Sequence, residues 1–509
     1  MTQRKQRRYR SWGADMSTRR ESSLIGRVLG GALVALVGLG WQPARAVPAI
    51  QAWETAAGAE VLFVPAPELP MVDVRVVFAA GSAYDGSLPG LASLTASMLT
   101  EGAGELDADA IAERIESVGA ELSTGASRDT GFAQLRSLTE AEALEVAVDI
   151  LQKVLSEPTF NAEEFERVRQ NRLIGLRLAE QDPGDVGQKA LYRAIFGDHP
   201  YASDPSGTTE SVAAMAVEDL RRFHQRFYAA PNATVAIVGA LDRAQAEALA
   251  ARITADLPSA GPAPPLPPVP QLGQPSTRQV AFPSSQTHLY AGQPGMRRGD
   301  PDYFPLYLGN HILGGSGLVS LLMEKVREDR GLSYSVYSYF LPLARKGPFL
   351  MGLQTQNAQA EQAKEVMLAT LARFIERGPT DEELEAAVKN ITGGFPLRIA
   401  GNSKIVRYLS VIGFYDLPLD YLDRFPERIR SVTAEQIREA FQRRIDPSQL
   451  ALVMVGGAES EPASEPASGP ASESAASVDG PAQAPTAGAG GLASGPGVAA
   501  GAAVTDAGE

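Results

Sequence analysis

Two stretches of this chain repeat the same order of local structure at one fixed offset, which leaves few architectures open to it. Val217-Glu218-Asp219-Leu220-Arg221-Arg222-Phe223 reads as an amphipathic helix, followed by Pro231 and the apolar run Val235-Ala236-Ile237-Val238-Gly239. Ala434-Glu435-Gln436-Ile437-Arg438-Glu439, Pro447 and Leu452-Val453-Met454-Val455-Gly456 repeat that order; Glu218 and Glu435 lie 217 residues apart, as do Gly239 and Gly456. Helix, proline and apolar strand recurring at one domain-sized spacing imply duplicated domains, and 509 residues are enough for two. Within the halves, helical periodicity covers Leu106–Val118, Glu140–Leu155 and Ala162–Leu178, and later Ala358–Glu376 and Asp381–Asn390. Phe132–Leu138, Tyr334–Leu341 and Pro348–Leu353 read as strands. The pattern predicts an α+β fold of two duplicated domains, each an antiparallel sheet covered by helices.

The expected boundaries follow from composition. Nine Lys/Arg in the first 46 residues, an apolar run from Val28 to Trp41 and the small-x-small site Ala44-Arg45-Ala46 read as a cleavable signal peptide, residues 1–46. A first domain over 47–257, a Pro-rich linker over 258–276 and a second domain over 277–457 follow. Residues 458–509 are Ala/Gly/Ser/Pro-rich without an aromatic side chain, a composition expected to stay disordered. Export implies a periplasmic protein with no stable membrane insertion once the signal is cut. Net charge is −14, and the N-terminal 46 residues carry +7 of it, so the rest stands at −21. Such an acidic body argues against nucleic acid as a partner. Cysteine is absent, which removes disulfides, thiolate metal sites and cysteine nucleophiles.

Chemistry-bearing motifs are sparse. The four histidines, His199, His224, His288 and His311, include no i, i+4 pair, so no single helix aims two imidazoles at one ion. His224, among arginines on a helix, reads as a surface or core-edge residue. Leu313–Ser338 is the richest segment. Gly314, Gly315 and Gly317, with Ser316 between them, predict a flexible loop with accessible amides, and a helix from Leu318 to Glu328 would put that loop at a positively polarised N-terminus. Arg327 would end the helix and Tyr334 open the next strand. Taken alone, these residues fit a tight helix-to-strand connection equally well.

Residues Gly81–Gly102, GSAYDGSLPGLASLTASMLTEG, closely resemble the start of the insulinase/pitrilysin zinc peptidases, where this helix carries H-x-x-E-H. Aligned on Gly90-Leu91-Ala92, the two ligand positions hold Ser93 and Ser97 and the catalytic glutamate position holds Ala96. The family's remaining ligand, a glutamate some 75 residues further on, falls where this chain reads Asn171-Arg172-Leu173, with no carboxylate between Glu166 and Glu180. The Gly314 to Tyr334 segment is similar to the second-domain signature of the processing-peptidase-like branch, and His199-Pro200-Tyr201, Gly207-Thr208 and Asn402 also match. The resemblance implies half of a clamshell chamber that admits unfolded or short peptides. It implies substrate binding by Gly314, Gly315, Ser316 and Gly317, and carbonyl stabilisation by Arg327 and Tyr334, acting in trans. No metal or other cofactor is then expected in this chain, zinc being held by a homologous H-x-x-E-H subunit of a heterodimer. A metal-free peptide-binding or assembly protein of the same fold is the alternative, and an independent hydrolase with unrecognised ligands a third.

Overall fold

The computed structural model describes residues 49–457; the expected signal peptide (1–46) and tail (458–509) lie outside the described residues. Thirteen strands are present among them. In the first half, β1 (Gln51–Glu54), β2 (Glu60–Pro65), β3 (Met71–Phe78), β6 (Glu121–Ala126), β7 (Gly131–Leu138) and β8 (Ala233–Gly239) form one sheet in the order β1-β2-β8-β3-β7-β6, while β4 (Gly102–Ala103) and β5 (Leu106–Asp107) make a small ribbon. In the second half, β9 (Ser276–Val280), β10 (Gln286–Pro294), β11 (Val336–Phe340), β12 (Pro348–Gln356) and β13 (Ala451–Val455) form a sheet in the order β11-β12-β10-β13-β9.

The two sheets share one topology. β2 runs parallel to β8, which pairs antiparallel with β3, then β7, then β6. β9 runs parallel to β13, which pairs antiparallel with β10, then β12, then β11. Each sheet is therefore antiparallel except for one parallel pair. The 217-residue offset carries through to the elements: helix Val217–Phe227 repeats as Ala434–Arg444, and the short 3₁₀ turn Ala230–Asn232 as Pro447–Gln449.

Period-2 alternation sorts side chains to two faces of the first sheet. Val61, Phe63, Val235 and Ile237 face the core under that half's own helices, whereas Leu62, Val64, Ala236 and Val238 belong to the core of the second half. The cover on that second face is helix Asn402–Phe414, supplied by the other half. The exchange is mutual. Helix Pro183–Phe196 of the first half lies on the second sheet, where Leu191, Ile195 and Phe196 meet Tyr290, Val453 and Val455. Each visiting helix comes close because it carries a glycine at the contact: a Cβ on Gly413 would fall 2.4 Å from Thr234 Cγ2, and one on Gly187 2.4 Å from Tyr290 Cε2.

Asp129, 1% exposed, joins the two halves at the ends of these helices. Its carboxylate accepts from Tyr201 Oη at 2.6 Å, Tyr415 Oη at 2.9 Å and the Ala344 backbone N–H at 2.8 Å. Burial raises its pKa, and these hydrogen bonds oppose the rise. Residues 258–275 contain no helix or strand, and the strand β9 begins at Ser276, the last residue of the expected linker. That segment is nonetheless tied down: His199 Nε2 bonds the Pro267 carbonyl at 3.0 Å, Arg345 Nε donates to the Leu266 carbonyl at 2.7 Å, and Arg226 reaches the carbonyls of Gly261 and Pro262. No helix among the described residues is long and apolar enough to cross a membrane.

Placing a methyl group at the exchanged-helix contact tests this interlock. Gly413→Ala should destabilise the protein by about 1–3 kcal/mol through overpacking against Thr234 and Leu62, read as a lowered urea midpoint at unchanged m.

Candidate functional site

Helix Leu91–Met98 is fixed at its start by an acid and two glycines. Buried Asp85 accepts the Gly90 N–H at 2.7 Å and the Ala92 N–H at 2.8 Å. Burial pushes the Asp85 pKa up to about 7 against the pull of those bonds. Gly90 has φ +95°, and a Cβ on it would meet the Gly207 Cα at 2.9 Å, so the helix start needs glycine on both counts. On the other side, Thr124 of β6 donates its hydroxyl to the Ala96 carbonyl at 2.8 Å. β6 is the end strand of its sheet.

Along this helix Ala96 is buried, while Ser93 and Ser97 are half-buried. Ser97 Oγ donates to the Ser93 carbonyl at 3.0 Å. From helix Ala162–Ala179, Arg172 reaches across: its Nη2 lies 3.1 Å from Ser93 Oγ and 3.5 Å from Ser97 Oγ. Burial lowers the Arg172 pKa, Asp204 pulling it back, and it has no ion-pair partner among the described residues; Asp204 itself pairs with Lys189 at 3.1 Å. Zinc takes imidazole, thiolate or carboxylate donors. Two neutral hydroxyls capped by a guanidinium do not fit it, because the fixed positive charge stands where the ion's ligands would converge.

The histidines are dispersed in function as well as in sequence. Among the described residues no group of three His, Asp or Glu side chains could hold a metal ion. His224 corrects its sequence reading: it is 4% exposed, its Nε2 bonds the Leu155 carbonyl at 2.8 Å, and its ring stacks on Tyr228. Burial pushes its pKa down to about 4. His199 caps the turn Pro200–Ala202, accepting from the Tyr201 N–H at 3.1 Å. His311 is also held near 4 by burial.

The glycine segment differs from expectation. Helix Tyr303–Asn310 runs on as a π-helical stretch, His311–Gly315, so Gly314 and Gly315 lie in a helix and not in a loop. They are packing residues. A Cβ on Gly314 would fall 2.5 Å from Ser338 Oγ, and one on Gly315 2.8 Å from Asn310 Nδ2, while Asn310 and Ser338 exchange hydrogen bonds at 3.0 and 2.8 Å. Only Ser316, Gly317 (φ +61°), Leu318 and Val319 form the turn, and Leu318 and Val319 are 65% and 82% exposed. No helix starts at Leu318: Ser320 is extended, and the helical run resumes at Leu321, becoming π-helical over Met323–Glu328. The expected amide-lined loop at a helix start is absent for that reason.

Arg327 and Tyr334 come together. The guanidinium carbon stands 5.0 Å from the Tyr334 ring centroid, within cation–π reach. Tyr334 is 84% exposed, two residues ahead of β11, and its hydroxyl bonds none of the described residues; among those residues the one charged group paired with Arg327 is Glu328, at 3.6 Å. The pair sets an exposed phenol beside a half-exposed guanidinium. Sequence reasoning missed Arg172, although the signal was there: it stands where the resemblance expects the last zinc ligand.

Comparison with known proteins agrees with this geometry. Residues 60–209 match the family described as insulinase (peptidase family M16), and 214–391 match the peptidase M16 inactive domain. A crystal structure of a peptidase M16 inactive domain from Pseudomonas fluorescens is 39% identical, with TM-score 0.78, covering 81% of this chain and 99% of that one. The non-peptidase homolog YmxG of Helicobacter pylori is 27% identical over 77% of this chain and 90% of its own. An uncharacterized zinc protease of Streptomyces coelicolor is 26% identical over 72% of this chain and 80% of its own.

Two expected outcomes follow from these residues. Unfolding frees His224 to protonate near its usual 6.5, so the unfolded chain takes up the proton first as pH falls. Its contribution is complete above that value and is lost toward pH 4. His224→Gln, which keeps a donor for the Leu155 carbonyl, should remove up to about 3 kcal/mol of acid sensitivity in that window, seen by comparing urea unfolding at the two ends. The second outcome concerns metal. Ser93→His with Ser97→His should bind no stoichiometric zinc by elemental analysis, and adding Arg172→Glu should create chelator-sensitive binding; zinc in the double variant alone would show that the guanidinium does not exclude it.

Proposed function

This chain belongs to the insulinase (M16) peptidase family as an inactive member, and from that membership we propose that it is the non-catalytic subunit of a heterodimeric zinc peptidase. Water activation needs both the metal and a positioned base. Ser93, Ala96, Ser97 and Arg172 offer neither, so cleavage would take place at a homologous subunit carrying H-x-x-E-H. This chain would supply Arg327 and Tyr334 to that subunit's substrate. The observation that carries the reading is the pair itself: the Arg327 guanidinium carbon lies 5.0 Å from the ring centroid of exposed Tyr334, whose hydroxyl has no competing hydrogen bond among the described residues. Leu318 and Val319, exposed at the neighbouring turn, suit contact with a partner or an apolar peptide side chain. The role is electrostatic stabilisation of the developing oxyanion by a preorganised cation and hydroxyl. Ser316 and Gly317 remain candidates for peptide contact, with Gly314 and Gly315 shaping the helix that presents them. The signal-like N-terminus supports a periplasmic location for the assembly.

A second reading, a metal-free peptide-binding or assembly protein, draws on Arg172, which gives the degenerate cleft a cationic donor of its own.

Co-purification with an H-x-x-E-H homologue should yield peptide cleavage that this chain alone lacks. Arg327→Ala should lower kcat by about 10²–10³ while the complex still elutes intact on gel filtration. Undiminished turnover by that variant removes the in-trans role, and no cleavage by any such pair leaves the binding protein standing.

A further inference from the structure

We infer that the degenerate zinc site of this chain is a carboxylate-binding site, in which Arg172 and Ser93 hold the carboxylate of a peptide. The donors are unevenly used. A guanidinium has five N–H groups in a planar fork, and Nη2 directs its two at Ser93 Oγ and Ser97 Oγ. Nε and Nη1 make no hydrogen bond to the described residues, and neither is fully shut off from solvent, so their three N–H groups are not committed to a partner there. The Ser97 proton is committed to the Ser93 carbonyl. The Ser93 hydroxyl accepts from Arg172 and has its own proton left to give. The site is therefore rich in donors, with a fixed cation at its centre and no acid among the described residues in ion-pair contact with it; Asp204, which acts on it from further off, pairs with Lys189.

That is the inverse of a zinc site, and it selects a different ligand. Zinc gathers anionic or neutral lone pairs. A guanidinium instead donates to oxygen anions: with Nη2 turned to the serines, one carboxylate oxygen accepts from a remaining Arg172 N–H and the other from the Ser93 hydroxyl. Arg172 is held on both sides: Ser93 and Ser97 fix its Nη2, and burial beside the Leu91–Met98 helix removes much of the competing water. The acidic body of the protein, −21 outside the first 46 residues, disfavours polyanions such as nucleic acid and leaves a single carboxylate as the tolerable load. The open edge of β6, tied to the same helix through Thr124 and Ala96, is where an extended peptide could lie beside this group.

The inference rests on the peptide-handling reading for the source of the carboxylate, but its test needs no partner subunit, so the two fail separately. The full mature chain is titrated by calorimetry with N-acetyl-trialanine bearing a free C-terminus, with its C-terminal amide, and with the amide carrying one internal glutamate. Saturable binding of the free acid, roughly 10- to 100-fold tighter than the amide, is expected. Binding of the glutamate-bearing amide at the acid's level would assign the site to side-chain carboxylates; binding at the plain amide's level would assign it to peptide C-termini. Arg172→Gln should abolish the preference, and Arg172→Lys should restore only part, since an ammonium cannot keep both serine contacts and still offer a fixed planar N–H to the anion. Should Arg172→Gln fold poorly, Ser93→Ala, which removes one hydroxyl, should weaken the acid several-fold at an unchanged melting temperature. Equal binding of acid and plain amide, no binding of the carboxylate-bearing peptides up to about 10 mM, or a preference that survives Arg172→Gln overturns the site.

Discussion

Each sheet is closed by a helix that the other half supplies, and this exchange is the constraint from which the rest of the molecule follows. A sheet with both faces apolar cannot stay in water on one side. β8 is buried at every residue, Ala233 to Gly239, because helices of its own half cover one face and Asn402–Phe414 covers the other. Pro183–Phe196 closes the second sheet in the same way. The halves are thus joined by shared cores as well as by a linker. Asp129, bonded to Tyr201 just past one visiting helix and to Tyr415 at the end of the other, fixes their relative position with a charged group that burial makes costly to leave unpaired.

On that frame the two candidate sites are counterparts. Helix Leu91–Met98, carrying the degenerate ligand positions, has its equivalent 217 residues later in Leu308–Gly315, which carries the packing glycines. In the first half the helix presents hydroxyls to Arg172; in the second it leads into the turn beside Arg327 and Tyr334. Of the two guanidiniums only Arg172 stands where the resemblance expects a zinc ligand; Arg327 belongs to the second-domain signature itself. This inactive member of the family keeps the scaffold with a guanidinium in place of the last zinc ligand, and a guanidinium cannot ionise water.

How much of this was legible in the residues varied with the physics behind each signal. The duplication was readable because amphipathic periodicity and prolines survive at a constant offset; Val217–Phe227 and Ala434–Arg444 keep it to the residue. Most strand and helix ends shifted by only a few residues, as with Tyr334–Leu341 against Val336–Phe340, but the helix expected to end at Asn390 runs on to Arg398, past Gly393 and Gly394 and through Pro396. The helix exchange was not readable, because an apolar stripe says that a helix is covered and not by which half. Glycine misled. Gly314 and Gly315 suggest a loop by propensity, yet the close approach of Ser338 and Asn310 demands missing side chains within a helix. His224 misled for the opposite reason: its neighbours in sequence are charged, but the helix turns it onto Leu155 and Tyr228. Arg172 was in view as a lost acid, and only the packing of two helices reveals what the new side chain touches.

The proline-rich strap over residues 258–275 has a consequence for survival among hydrolases. Unstructured crossovers are where proteins are usually nicked, since a protease must draw an extended stretch into its cleft. Here the carbonyls of Gly261, Pro262, Leu266 and Pro267 are each held by a side chain, from Arg226, Arg345 or His199, and Leu266 is buried. Cutting the strap would first require peeling it from both halves at once, so its susceptibility is set by cooperative opening of the whole body and not by local fraying. The fold thereby shields the crossover that joins its halves.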